Sequence, residues 1–325
     1  MKKMTWGKVL GACALAVTAS TAQAQTQAGW PGKVVTLVVP YTAGGTADTL
    51  ARGLGEALRA TGATVIVENK PGAGASLGTD FVARAKPDGN TLLLASTSPI
   101  TIYPNLTSTP YDPLKSLAPI ASVGVGPVAI VASKALKVDD FAGLVAYAKA
   151  NPGKVTYAVP GLGSVAHLGM AAVNKQADIK MMQVPYRGGS QALPDGLSGV
   201  VDLLVLNTDV LLPHVASGAL KPLAVMAPTR LEAWPTVPTM AELNLPKIQY
   251  FSNFGLFAPA GMPPDTAQAL QAAIDKAIAT PQYQEMLKKY YLQPGTGTGA
   301  AFKQQVQSEY ESNKRLIKDE DIRME

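Results

Sequence analysis

The sequence predicts an α/β protein of two lobes, and three observations carry that expectation. Short β-branched runs alternate with amphipathic stretches, the pattern of strands feeding helices in largely parallel sheets. The alternation restarts at Val155, after a first round that ends near Ala150. The 325 residues, less a leader of 24, leave 301, which is large for one hydrophobic core and comfortable for two.

The leader is read from the first residues. Lys2, Lys3 and Lys8 give a basic start, Val9 to Val17 a short apolar run, and Ala22-Gln23-Ala24 a small-x-small cleavage site. Residues 1–24 are thus expected to be a signal peptide, with Gln25 the mature N-terminus. The apolar run is well short of the roughly 20 residues that span a bilayer. Leu10-Gly11-Ala12-Cys13 has the outline of a lipoprotein box, but Lys8 leaves almost no apolar run before it. Cys13 is the only cysteine, so cleavage after Ala24 excludes disulfides, thiolate catalysis and cysteine metal sites. Three of the leader's lysines contribute to the net charge of +5, leaving +2 without them. No basic run interleaved with aromatics marks a nucleic-acid binder.

Val34 to Val39 reads as a buried strand, followed by a Gly-rich turn and a helix from about Ala47 to Ala60. Val65 to Glu68 is the next strand, then a second Gly-rich turn and a helix ending near Lys86. Pro87 to Asn90 is a turn and Thr91 to Ala95 a third strand. Another strand begins at Val128 and runs to Ala132, and Asp139 or Asp140 caps a helix to Ala150. In the second round, Val155 to Val159 is a strand and Ser164 caps a helix to about Gln176. Met181 to Val184, Val201 to Val205 and Leu220 to Val225 are strands, separated by helices near Ser190 to Leu197 and Val210 to Ser217. From Pro263 the chain is mainly helical, with Pro264 and Pro281 at helix starts. Lobe 1 is expected at residues 25–126 plus 252–325 and lobe 2 at 127–251. Gly124 to Gly126 and Phe251 to Phe254 would form the hinge.

Three strand-to-helix turns are candidates for ligand contact, because ligands of open α/β sheets lie where strand ends feed helix N-termini. Tyr41, Thr42, Ala43, Gly44, Gly45 and Asp48 form the first, where paired glycines bare the backbone N–H groups and the helix dipole favours an anion. Thr46 or Asp48 is a candidate cap there. Gly163, Ser164 and His167 repeat that chemistry in the second lobe, so a carboxylate clamped between lobes suits both. Tyr186 and Gly188 mark the third turn, with Arg187 free to clamp a carboxylate or to face solvent. Ser96-Thr97-Ser98 follows the third strand, where its hydroxyls and amides can face the cleft or simply close a loop.

Catalytic patterns are poor. Gly163-Ser164-Val165 is not a G-x-S-x-G elbow. In Gly72-Ala73-Gly74-Ala75-Ser76-Leu77-Gly78 the last glycine falls one residue late for a dinucleotide loop. His167 and His214 are too far apart for a metal site, so neither metal nor cofactor is expected. The alternative is an α/β hydrolase or nucleotide-dependent enzyme using Ser164 or the Gly72 loop; a third is a scavenger or sensor with another partner.

The ordered set of segments resembles the receptors of tripartite tricarboxylate transporters, the Bug family. It comprises Trp30-Pro31, Pro40 to Asp48, Glu68 to Gly74, Pro87-Asp88-Gly89 and Asn151 to Lys154. It continues with Gly163-Ser164 and His167-Leu168, Val184 to Gly188, Pro235 to Thr239 with Glu242, and Gly255 to Pro259. The resemblance implies a type II periplasmic-binding-protein fold and a carboxylate held by backbone amides and waters at the Pro40–Asp48 and Gly161–His167 loops. It also implies a permease of one large and one small subunit as partner; with the leader, the expectation is a periplasmic, monomeric receptor with no catalytic activity. One departure is Leu206-Asn207-Thr208, where many members carry an acid after the Val-Asp-Leu strand. Loss of that acid disfavours an amino-acid ligand and favours an aromatic or dicarboxylic acid, with Asn207 as a candidate contact.

Overall fold

The computed structural model describes Trp30, residues 34–60 and residues 62–324. The expected signal peptide, its cleavage site and Cys13 lie outside the described residues.

The first round of alternation builds β1 (Val34–Val39), α1 (Thr46–Arg59), β2 (Thr64–Asn69), α2 (Ser76–Ala83) and β3 (Thr91–Ser96), with short helices α3 (Ser98–Thr101) and α4 (Tyr103–Leu106) after it. Helix α1 forms because Leu50, Ala51, Leu54, Ala57 and Leu58 recur at helical spacing and bury one face. That face packs on Val35, Leu37, Val39, Leu92 and Leu94 of β1 and β3. Strand β4 (Leu117–Ser133) and helix α5 (Phe141–Ala150) follow. Asp140 rather than Asp139 caps α5, accepting from Gly143 N at 2.7 Å.

The second round builds β5 (Thr156–Val159), α6 (Val165–Gln176), β6 (Met182–Pro185), α7 (Gly189–Ser198), β7 (Leu203–Asn207), α8 (Thr208–Ala216) and β8 (Leu220–Val225). Its core gathers Ile130, Tyr157, Leu168, Val173, Leu203, Val205 and Leu223. Strand β9 (Phe251–Pro259) then returns the chain to the first half, where α9 (Pro264–Ile278), α10 (Pro281–Lys289) and α11 (Gly299–Asp319) complete it. Phe302 and Val306 of α11 pack with Val38, Leu93 and Phe257. Ile317 at its far end packs with the second core, and Lys175 pairs with Glu320 at 2.7 Å.

The strand order is β2-β1-β3-β9-β4-β7-β5-β6, with β8 also on β4. Pairings β1–β2, β1–β3, β5–β6 and β5–β7 are parallel, whereas every pairing of β4 and β9 is antiparallel. The sheet is therefore mixed rather than largely parallel. The cause is β4, which starts at Leu117 and not at Val128. Pro119, Gly124, Gly126 and Pro127 punctuate its sequence like a turn, yet irregularities at Pro119/Ala121 and Ser122/Gly124 absorb them within the ladder. Gly126 is required by close approach: a Cβ there would sit 2.7 Å from Asn207 Nδ2. Partners switch inside β4, from β9 up to Pro127 to β7 from Val128. Gly124 to Gly126 and Phe251 to Phe254, expected as loose crossovers, are thus two strands paired with each other.

Candidate functional site

Helices α1 and α6 point their N-termini into one cleft between the two halves. Gly45, Thr46 and Ala47 line it from α1, and Ser164, Val165 and Ala166 from α6. The first amides of a helix have no acceptor within it, and each N-terminus carries roughly half a positive charge. Ser164 caps α6 by accepting from His167 N at 3.2 Å, which leaves the Val165 and Ala166 amides without intrahelical acceptors. Two such termini together match about one carboxylate charge. The cleft encloses about 540 Å³ including the part open to solvent. Its remaining walls come from Tyr41, Ser96, Ser98, Pro160, Gly189 and Asn207, and from Val128, Leu206, Val210, Ser252 and Phe254.

Of the residues singled out in the sequence, Tyr41, Gly45, Ser96, Ser164 and Asn207 meet at this cleft. Tyr41 Oη and Ser96 Oγ hydrogen-bond each other at 2.7 Å, and burial pushes the phenol up to about 12. The Asn207 amide is held as a clip: Nδ2 donates to Gly126 O at 2.9 Å and Oδ1 accepts from Ser252 Oγ at 3.1 Å. It thereby ties β7 to β4 and β9.

Other expected donors are committed elsewhere. Gly44 N donates to Asp48 Oδ2 at 3.0 Å, so this amide is not free for a carboxylate. Gly44 also adopts φ +80°, which rules out a simple bulky substitution as a steric probe. Asp48 does not cap α1 as an N-cap residue; Gly45 holds that position without a side-chain bond. Burial would raise the Asp48 carboxyl, but hydrogen bonds from Arg52, Gly44 N and Asn69 outweigh it and hold it below the usual range. Gly163 N donates to His167 Nδ1 at 3.2 Å. Burial pushes that imidazole down to about 4, so it is neutral and locks the turn. Thr97 is buried, its N–H donating to Asn253 O at 2.7 Å.

Thr42, Ala43 and Gly188 form a seam between the halves. Thr42 N donates to Arg187 O at 3.2 Å, Thr42 Oγ1 bonds Ser190 Oγ at 2.9 Å, and Ser190 Oγ donates to Ala43 O at 2.7 Å. Thr46 Oγ1 donates to Asp209 Oδ1 at 2.8 Å across the same gap. Burial raises the Asp209 carboxyl to about 7, offset in part by the Thr46 hydroxyl. Tyr186 lies outside the cleft, with its hydroxyl donating to Asp195 Oδ2, and Arg187 is exposed. Ser98, next to the Ser96 and Thr97 singled out in the sequence, also reaches the cleft, whereas Asp209 carried no mark in the sequence and Ser252 and Phe254 were expected only in the hinge, since only the fold carries β9 and the start of α8 to the cleft.

The geometry disfavours the catalytic alternatives. Ser164 Oγ is engaged by a backbone N–H and the imidazole Nδ1 accepts from Gly163, so the two side chains form no nucleophile–base pair. At Gly74 a Cβ would sit 2.4 Å from the Tyr103 ring and 2.8 Å from Leu162 O, so this loop is filled by protein rather than open to a phosphate.

Comparison with known proteins agrees with the two-lobed reading. The sequence pattern described as "Tripartite tricarboxylate transporter family receptor" matches residues 47–322. The structure of periplasmic binding protein BugD is 32% identical and superimposes with a TM-score of 0.86, covering 90% of this chain and 99% of that one. Rpa4515 of R. palustris, solved with adipate, is 28% identical with a TM-score of 0.86, covering 90% and 99%. MatC of Rhodopseudomonas palustris, solved with bound malate, is 28% identical with a TM-score of 0.84, covering 89% and 100%. The mixed α/β architecture is that of these two-lobed periplasmic binding proteins. With a match over most of its length, the chain belongs to the tripartite tricarboxylate transporter receptor family, a family of solute-binding receptors and not of enzymes.

Proposed function

We propose that the protein is a periplasmic receptor that captures a small carboxylate between its lobes and delivers it to a tripartite tricarboxylate-type permease. The observation that carries this reading is the convergence of the α1 and α6 N-termini on one cleft. The Thr46, Ala47, Val165 and Ala166 amides supply the donors, with the Ser164 hydroxyl beside them. This replaces the Gly44-centred cradle expected from the sequence. The adipate and malate bound by Rpa4515 and MatC support a carboxylate as ligand.

Lobe 1 takes residues 25–126 plus 252–325 and lobe 2 takes 127–251, with residues 1–24 removed on export. The division agrees with the switch of β4 partners after Pro127. The paired stretches of β4 and β9 act as the hinge, and the receptor works as a monomer facing a permease of a large and a small subunit. A thermal-shift screen of small carboxylates tests the reading, because a ligand at 100 times its Kd stabilises by about 2.7 kcal/mol. If no carboxylate raises the midpoint, the protein is not this kind of receptor.

A further inference from the structure

The paired helix termini account for one carboxylate, and the rest of the cleft holds no counterpart for a second. No Lys, Arg, His, Asp or Glu lines it among the described residues. Most of its side-chain polar groups are already engaged: Tyr41 with Ser96, Thr46 with Asp209, and Asn207 with Gly126 and Ser252. The Ser98 and Ser164 hydroxyls remain to donate, and Ser98 is only 4% exposed at the edge of the cleft. Facing these groups is an apolar wall. Leu206 and Val128 are fully buried in their strands yet reach the cleft, as does the Phe254 ring. Gly189 marks how closely the wall approaches α7, since a Cβ there would lie 3.5 Å from Leu206 Cδ2 and 3.9 Å from Val210 Cγ1.

A second carboxylate against this wall would be desolvated without a charged partner, which is strongly unfavourable. A hydrocarbon or ring in its place would remove apolar surface from water on both sides. Resting on the receptor reading above, we propose that this cleft selects monocarboxylic acids with an apolar body over dicarboxylic acids, with Val128, Leu206, Val210 and Phe254 as the selecting wall. The diacids adipate and malate occupy the solved relatives Rpa4515 and MatC, and the proposal replaces the dicarboxylic option left open by the sequence.

The test is calorimetry on the mature chain with isovalerate and benzoate against succinate, malate and adipate, repeated on Val210→Lys with circular dichroism to confirm folding. Val210 is half-buried at the cleft, so a lysine there can bring a cation to the wall. The expected result is that a monocarboxylate binds at least a hundredfold more tightly than any of the diacids, and that Val210→Lys narrows the gap at least tenfold. A diacid that binds as well as or better than both monoacids overturns the selectivity while leaving the carboxylate receptor intact. Failure of all five acids to bind overturns the selectivity, and the receptor reading falls with it only if the thermal-shift screen also finds no carboxylate. If Val210→Lys folds and the gap is unchanged, the wall is not what discriminates.

Discussion

Gly188→Ala is the substitution most diagnostic of lobe closure. A Cβ at Gly188 would lie 2.2 Å from Thr42 Oγ1 and 2.9 Å from the Thr42 backbone N. The hydroxyl could swing aside, but the backbone nitrogen cannot move without opening the seam. That opening breaks the Thr42–Arg187, Thr42–Ser190 and Ser190–Ala43 bonds described above. Each such bond contributes about 1 kcal/mol net, so closure loses about 3 kcal/mol, equivalent to about a hundredfold in ligand affinity. Because the residue faces the other half of the molecule, each half should fold as before. Calorimetry with a ligand found in the carboxylate screen reads the affinity, and circular dichroism of the ligand-free protein reads the fold. Wild-type affinity in a folded Gly188→Ala protein would show that binding does not require this seam.

Other outcomes follow from the same geometry. The Asp209 carboxyl is raised by burial from 3.8 to about 7. Between those values the folded protein keeps a proton that the unfolded chain releases, so this group makes stability fall as pH rises from about 4 to about 7 and levels off above. His167, pushed down to about 4, acts in the opposite sense, so the comparison is the midpoint difference between wild type and Asp209→Asn at pH 5 and pH 8. That difference should move against wild type at pH 8, and a constant difference would count against the buried, protonated Asp209. Arg187→Ala should change affinity less than threefold, since its side chain is exposed and only its carbonyl joins the seam; abolished binding in calorimetry would make it the anion clamp instead. N-terminal sequencing of exported protein should begin at Gln25, and a lipid-modified Cys13 would contradict the leader assignment.

Much of the fold was legible in the sequence because its elements obey strong local rules. Helix α1 has its apolar stripe, α5 and α6 have Asp140 and Ser164 as caps, and α9 and α10 begin with Pro264 and Pro281. The long β4 was not legible, since Pro119, Gly124, Gly126 and Pro127 imitate a turn and only the ladder with β9 keeps the segment extended. In the site, the Gly-rich turns were visible as places where helices start, but not which amides stay free. Gly44 N and Gly163 N are taken by Asp48 and His167, side chains four residues ahead whose rotamers no spacing rule fixes. The apolar wall was hidden for a different reason. Val128 reads as an ordinary strand residue, Leu206 as the place of a missing acid and Phe254 as part of the hinge, and only the meeting of β4, β7 and β9 makes them one wall of the cleft.

The most direct measurement is a crystal structure of the mature protein with a carboxylate identified by the thermal-shift screen. The account predicts closed lobes and a carboxylate whose oxygens accept from the first-turn amides of α1, at Thr46 and Ala47, and of α6, at Val165 and Ala166, directly or through one water. A carboxylate paired instead with the Arg187 guanidinium, or seated away from both helix termini, would contradict it.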